Sequence, residues 1–235
     1  MDRILIALDT STAKEALSLA DRLRGVVGGF KIGHQLFTAV GPEIVRTLVS
    51  KGDRVFLDLK YHDIPNTVAG AVQSAAELGV WMLNVHASGG AAMLLAARAA
   101  ADRAAERYGR RPLLIAVTVL TSLDAAALSG IGIDETPLDH AVKLAKLAHQ
   151  EGCDGVVASP QETAAIRRAC GTDFLVVTPG IRGAAAERDD QARTMTPADA
   201  IRAGSSYLVI GRPVTGAQNP RDAAERIAEE LAISP

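Results

Sequence analysis

The sequence predicts an α/β protein, a single-domain (β/α)8 barrel spanning residues 1–235, and three observations point there. Eight short apolar runs alternate with longer helical patterns along the chain. The runs are almost continuously apolar, the mark of strands covered on both faces in a parallel sheet. No linker or low-complexity tract divides the 235 residues, a length that one closed barrel fills.

The first run, ILIAL (4–8), leads into the amphipathic segment TAKEALSLADRL (12–23). GFKI (29–32), RVFLDL (54–59) and WMLNV (81–85) supply the next three strands. The alanine-rich stretch 91–105 follows; Arg98, Asp102 and Arg103 interrupt it, so it cannot cross a membrane. LLIAVTV (113–119) is the fifth strand. In the next helical segment, ETPLDHAVKLAKLAHQ (135–150), Leu138, Val142, Leu144 and Ala145 fall close to helical spacing, and Pro137 suits a first turn. GVVA (155–158), FLVV (174–177) and YLVI (207–210) complete the set, with Gly152 and Gly204 as helix stops ahead of strands. An open doubly wound sheet is the alternative, but no G-x-G-x-x-G follows the first strand.

Composition narrows the function. The formal net charge is −2 with 22% charged residues, so there is no basic stripe for nucleic acid. A small anionic ligand held by a few local cations remains open. Cys153 and Cys170 make neither a disulfide framework nor a metal-ligand pattern. The start, MDRILIALDT, has no long apolar segment. A cytoplasmic protein with reduced thiols is expected, with no membrane partner.

Barrel enzymes carry their chemistry at the C-terminal ends of the strands. The residues there are Asp9 after the first strand, Lys31 in the second, Asp58 and Lys60 at the third and His86 after the fourth. Thr121 and Ser122 follow the fifth, Arg182 lies beyond the seventh, and Gly211 and Arg212 follow the eighth. Asp58 and Lys60 are two apart, so they share one face of their strand, and Leu57 and Leu59 turn the other face to the helices. Asp63 stands just before Ile64-Pro65, where the strand gives way to a loop or helix.

Charge of both signs at one strand end has two readings. One is a structural salt-bridge network, although buried pairs are weak stabilisers. The other gives each sign a task. A lysine beside carboxylates favours its charged form and can deliver a proton to a carbanion. A carboxylate facing a negative substrate group repels it, by about 4 kcal/mol at 4 Å and an effective dielectric near 20. Loss of that group as neutral carbon dioxide relieves the repulsion. Decarboxylation with proton delivery to carbon fits, among several possibilities.

The opposite side of the mouth suits phosphate. TPGIR (178–182) and IGRPVTGAQNP (210–220) end the last two strands, and the loops there form a recurrent phosphate site in such barrels. Gly180 and Gly211 allow close backbone approach, and Arg212 adds a charge-assisted fork. The polar stretch 181–197 is long for a βα connection, as a closing lid would be, and carries Gln191.

With these residues assembled, DLKYHDIPNT (58–67) resembles the signature of the orotidine 5′-phosphate decarboxylase family. IALD (6–9), KIG (31–33), NVHASGG (84–90), TVLTS (118–122), TPGIR (178–182), DQ (190–191) and IGRPVT (210–215) resemble its other segments in order. The resemblance covers essentially the whole chain and is greatest to the short bacterial form. It implies decarboxylation of orotidine 5′-monophosphate to UMP without metal or cofactor. Lys60 would protonate C6, Asp58 would face the substrate carboxylate, and Lys31 and Asp9 would hold the ribose hydroxyls and the charge network. Asp63, Ile64 and Thr67 would serve a substrate site shared across a homodimer, with Asp63 and Thr67 reaching the neighbouring subunit. Thr121 and Ser122 would meet the pyrimidine, and Arg182, Gln191, Gly211 and Arg212 the phosphate.

Two other readings stand beside it. Related barrels that act on sugar phosphates through an enediolate share D-x-K-x-x-D but use Mg²⁺, with a glutamate where this chain has Lys31. A noncatalytic nucleotide-binding barrel would bind UMP without turnover, and gives no reason for Lys60 between two acids. His34, His140 and His149 are expected to be solvated, and His86 to be a hydrogen-bonded structural imidazole.

Overall fold

The computed structural model describes residues 1–181 and 195–233. Eight strands form a closed barrel in chain order, and every neighbouring pair is parallel. They are β1 (Ile4–Ala7), β2 (Gly29–Gly33), β3 (Val55–Tyr61) and β4 (Met82–His86), then β5 (Leu113–Val117), β6 (Gly155–Val157), β7 (Leu175–Thr178) and β8 (Tyr207–Ile210). The helices are α1 (Ala13–Leu23), α2 (His34–Val40), α3 (Glu43–Ser50), α4 (Pro65–Glu77), α5 (Ala91–Tyr108) and α6 (Ala125–Gly130). They continue with α7 (Pro137–Gln150), α8 (Thr163–Cys170), α9 (Pro197–Arg202), α10 (Arg212–Thr215) and α11 (Pro220–Ile233).

Strand periodicity splits the apolar residues into two cores. Leu5, Ala7, Phe56, Met82, Ile115, Val177 and Val209 fill the barrel. Their strand neighbours, among them Ile4, Ile6, Leu57 and Leu83, belong to the layer packed against the helices. Leu57 is fully buried in that outer layer and Leu59 packs against it, which turns Asp58 inward as its parity requires. The network at the N-terminal end is structural. Arg111 forks both oxygens of Asp154 at 2.7 Å, and Asp154 also accepts the Leu114 N–H, tying β5 to the start of β6.

Local chemistry sets the boundaries. Thr12 and Thr136 cap α1 and α7 by accepting the N–H groups of Glu15 and Asp139. Gly152 and Gly204 follow α7 and α9 with φ of 77° and 106°, a conformation that favours glycine. Two expectations need correction. The fifth strand ends at Val117, because Thr118 turns both its N–H and its hydroxyl to the Val157 carbonyl. On α7 the buried positions are Ala141, Leu144, Ala145 and Ala148, while Leu138 is 42% exposed. Small alanines pack closest to the sheet, and the larger leucine at the first turn lies outside the contact.

Candidate active site

The third strand does more than parity predicts. Against β2 it pairs regularly through Gly33 and Asp58. Against β4 the register jumps from Leu57–Leu83 to Tyr61–Val85, so four steps of β3 oppose two of β4. Lys60 lies in this bulge with φ 48°, the one non-glycine residue at positive φ among the described residues. That conformation costs about 1–2 kcal/mol, and such strain concentrates at functional sites. On a regular strand, residues two apart stand about 7 Å apart. Here Lys60 Nζ lies 2.7 Å from Asp58 Oδ1.

The charges alternate across three strands. Lys31 Nζ is 3.3 Å from Asp9 Oδ1 and 3.3 Å from Asp58 Oδ2, and Lys60 closes the row on Asp58 Oδ1. Asn84 on β4 donates to Asp58 Oδ1 at 2.7 Å and accepts the Lys60 N–H at 2.8 Å. Burial pushes the Asp58 carboxyl up, but the two ammonium groups and the hydrogen bonds from Lys60 and Asn84 outweigh it. Asp58 is therefore held below the ordinary carboxylate range, an anion kept out of water by its own partners.

The row lines a cavity of about 510 Å³ at the C-terminal mouth of the barrel. Asp9, Lys31, Asp58 and Lys60 form one wall, and Val117, Val157 and Val209 add apolar surface. Gly180, Gly211 and Arg212 border it from the last two strands, and Thr121 reaches it from the loop after β5. Arg212 and Pro213 open the single turn of α10 directly after Gly211. Ser122 is exposed and does not line this cavity. Asp63, Ile64 and Thr67 also lie outside it, on an exposed run at the start of α4. There the Asp63 carboxylate accepts the Ile64 N–H at 2.6 Å. Arg182 and Gln191 fall outside the described residues.

Metal-binding chemistry has little to work with here. Among the described residues no three His, Cys, Asp or Glu side chains converge as an ion requires. Between Asp9 and Asp58, where a divalent cation could bridge, stands the Lys31 ammonium.

Two residues of the segments KIG and NVHASGG, to which the sequence reading gave no role, belong to the site. Asn84 is wholly buried, and its signal was a lone polar residue at an inward position of an apolar strand. Gly33 matters for space: a Cβ there would come 2.9 Å from Lys31 Nζ and 3.5 Å from Asp9 Oδ1. The expected exposure holds for His34 and His149 but not for His140. His86 stacks on His62 with ring centroids 5.3 Å apart, and burial, His62 and Lys60 lower its pKa. His140 is paired with Glu135 at 2.8 Å and half-buried. His149 rests edge-on to Phe174, and exposed His34 meets the Leu59 carbonyl at 3.1 Å.

A closed parallel barrel with a strained lysine paired to a buried carboxylate at its mouth is an enzyme of the (β/α)8 class. The model of the orotidine 5′-phosphate decarboxylase / HUMPS family matches residues 2–227. The chain belongs to that family. It is 53% identical over 232 residues to an orotidine 5′-phosphate decarboxylase of Moorella thermoacetica, covering 98% of this chain and 92% of the relative. With the protein of that name from Alkalilimnicola ehrlichii it shares 55% over 231 residues, covering 98% and 96%. The crystal structure of orotidine 5′-phosphate decarboxylase from Lactobacillus acidophilus superposes with a TM-score of 0.86 at 35% identity, covering 97% of this chain and 98% of that one.

Proposed function

We propose that this chain decarboxylates orotidine 5′-monophosphate to UMP and carbon dioxide in pyrimidine synthesis, with Lys60 as the proton donor. One observation carries the reading: Lys60 Nζ sits 2.7 Å from a buried Asp58 carboxylate on the wall of the cavity. The substrate carboxylate, set against Asp58, meets a negative group that burial has deprived of water. When the bond from C6 to the carboxylate breaks, carbon dioxide leaves neutral. The electron pair left on C6 takes a proton from Lys60, which regains one from solvent. Repulsion present in the bound substrate is gone once the charge departs, while the lysine stabilises the carbanion as it forms.

The remaining roles follow the family pattern. Lys31 and Asp9 hold the ribose hydroxyls, Thr121 meets the edge of the pyrimidine, and Ser122, exposed in the loop after β5, joins it when substrate draws that loop inward. Gly211 and Arg212, with Arg182 and Gln191, grip the phosphate. Binding energy gained at that remote phosphate is then available at the reacting carbon. Asp63 and Thr67 serve the neighbouring subunit's site in a homodimer, with Ile64 between them on the shared substrate surface. Their position outside their own cavity, beside an Ile64 that is 66% exposed, supports this. Two free, buried cysteines suit a reducing cytoplasm. Among the described residues no helix is long and apolar enough to cross a membrane.

The Mg²⁺-dependent sugar-phosphate reading fails on Lys31, whose ammonium stands where a metal ligand is needed. The test follows the absorbance of orotidine 5′-monophosphate with purified protein, with and without EDTA. Loss of absorbance that EDTA leaves unchanged is expected. Turnover only of a sugar phosphate, and only with Mg²⁺, would overturn the proposal.

A further inference from the structure

The amide of Asn84 is the polar centre of the barrel wall. It is 0% exposed, and a buried amide is costly unless both its ends are bonded. Both ends are. The Lys60 N–H can only donate and the Asp58 carboxylate can only accept, so the amide oxygen faces Lys60 and its NH2 faces Asp58. The register jump between Leu57 and Tyr61 takes β3 out of regular pairing with β4 at this point. A side chain of β4 therefore supplies the acceptor for the Lys60 N–H. The same side chain settles Asp58: Oδ1 takes Asn84 Nδ2 and Lys60 Nζ, each at 2.7 Å, and Oδ2 is left to Lys31 at 3.3 Å.

We infer that Asn84 is a positioning residue for proton transfer, holding Lys60 in its left-handed conformation and Asp58 in one orientation before substrate arrives. The inference rests on the decarboxylase reading. Only a group with one donor and one acceptor at this spacing can do both tasks. The charged groups around it are Asp58 and Lys60 on β3, Lys31 on β2 and titratable His86 on its own strand; on β5 its partner in register is apolar Ile115.

Two variants test this. Asn84→Leu keeps the branched outline of the side chain and loses both bonds. Its kcat for orotidine 5′-monophosphate should fall about 100-fold, as misplacement by about 1 Å can do, with KM within about threefold of wild type. Asn84→Asp copies the amide only when protonated, its O–H toward Asp58 and its C=O toward the Lys60 N–H. Ionised, it sets two carboxylates against each other. The ratio of its kcat to that of wild type should therefore rise about tenfold or more as pH is lowered from about 8 to about 5. Nearby His86 titrates in both proteins and largely cancels in the ratio. A kcat for Asn84→Leu within about threefold of wild type, or a flat Asn84→Asp ratio, overturns the inference while wild-type turnover leaves the decarboxylase reading intact. If Asn84→Leu does not fold, Asn84→Asp carries the test. If wild type itself does not turn over the substrate, the decarboxylase reading falls. The positioning claim is then judged by hydrogen exchange at the Lys60 amide, expected to be about tenfold faster in Asn84→Leu or, if that does not fold, in Asn84→Ala, since both remove the acceptor; equal exchange would overturn it.

Discussion

Lys60 and Asp58 are two residues apart on one strand, yet their charged atoms meet at 2.7 Å because the bulge turns Lys60 to φ 48°. The contact is made by backbone strain as much as by attraction. If Lys60 is the proton donor, Lys60→Ala should lower turnover of orotidine 5′-monophosphate by at least about 10²- to 10⁴-fold. UMP binding, followed by calorimetry, should persist. A near-normal rate would remove Lys60 from the chemistry.

The strain itself is measurable. Lys60→Gly and Lys60→Ala both remove the ammonium, so their difference isolates the backbone. Glycine is at ease at φ 48°, and a residue with Cβ costs about 1–2 kcal/mol there. Lys60→Gly should be the more stable of the pair by roughly 1 kcal/mol in urea unfolding. Equal midpoints would mean that the bulge relaxes once the lysine is gone.

Gly33 leaves room for the Lys31 ammonium. A methyl there would press on Nζ at 2.9 Å, the movable end of a flexible chain. Gly33→Ala should fold with a Tm near that of wild type and lose about tenfold or more in kcat/KM, because Lys31 is displaced from Asp9 and Asp58. Lost stability with retained activity would contradict this.

Arg212 borders the cavity beside Gly211. A hydrogen bond to a charged group contributes about 1.5–3 kcal/mol, so Arg212→Ala should weaken UMP binding about 10- to 150-fold. Uridine binding should change little. Equal losses for nucleotide and nucleoside would place the phosphate elsewhere.

Acid should unfold the protein partly through Asp58. Its carboxyl is held below the ordinary range in the folded state. The stability it contributes is thus present above the unfolded pKa of about 3.9 and lost as pH falls through the lower folded value. His86 acts higher: burial lowers its pKa, so stability declines as pH falls below about 6.5 and the unfolded chain takes up the proton first. Urea titrations should show both declines, and His86→Gln should abolish the upper one alone.

Much of this was legible in the sequence. The eight apolar runs lie within one or two residues of the observed strands, because continuous burial leaves little room for another pattern. Parity placed Asp58 inward and Leu57 outward. The bulge was not legible: a register jump depends on how β3 meets β4, and no glycine or proline marks it. The segment NVHASGG marks Asn84, but its task depends on two partners from β3 that no spacing within β4 reveals. Asp63 and Thr67 stand apart from the cavity of their own chain, a separation that sequence spacing cannot express.

The alternation of inner and outer cores divides the strands between two kinds of selection. On β3, Phe56, Asp58 and Lys60 face the chamber while Val55 and Leu57 face the helices. Mutations at one set alter what the barrel can transform; mutations at the other alter whether it stays folded. A lineage can explore new substrates along one register of the sheet while its scaffold drifts along the other.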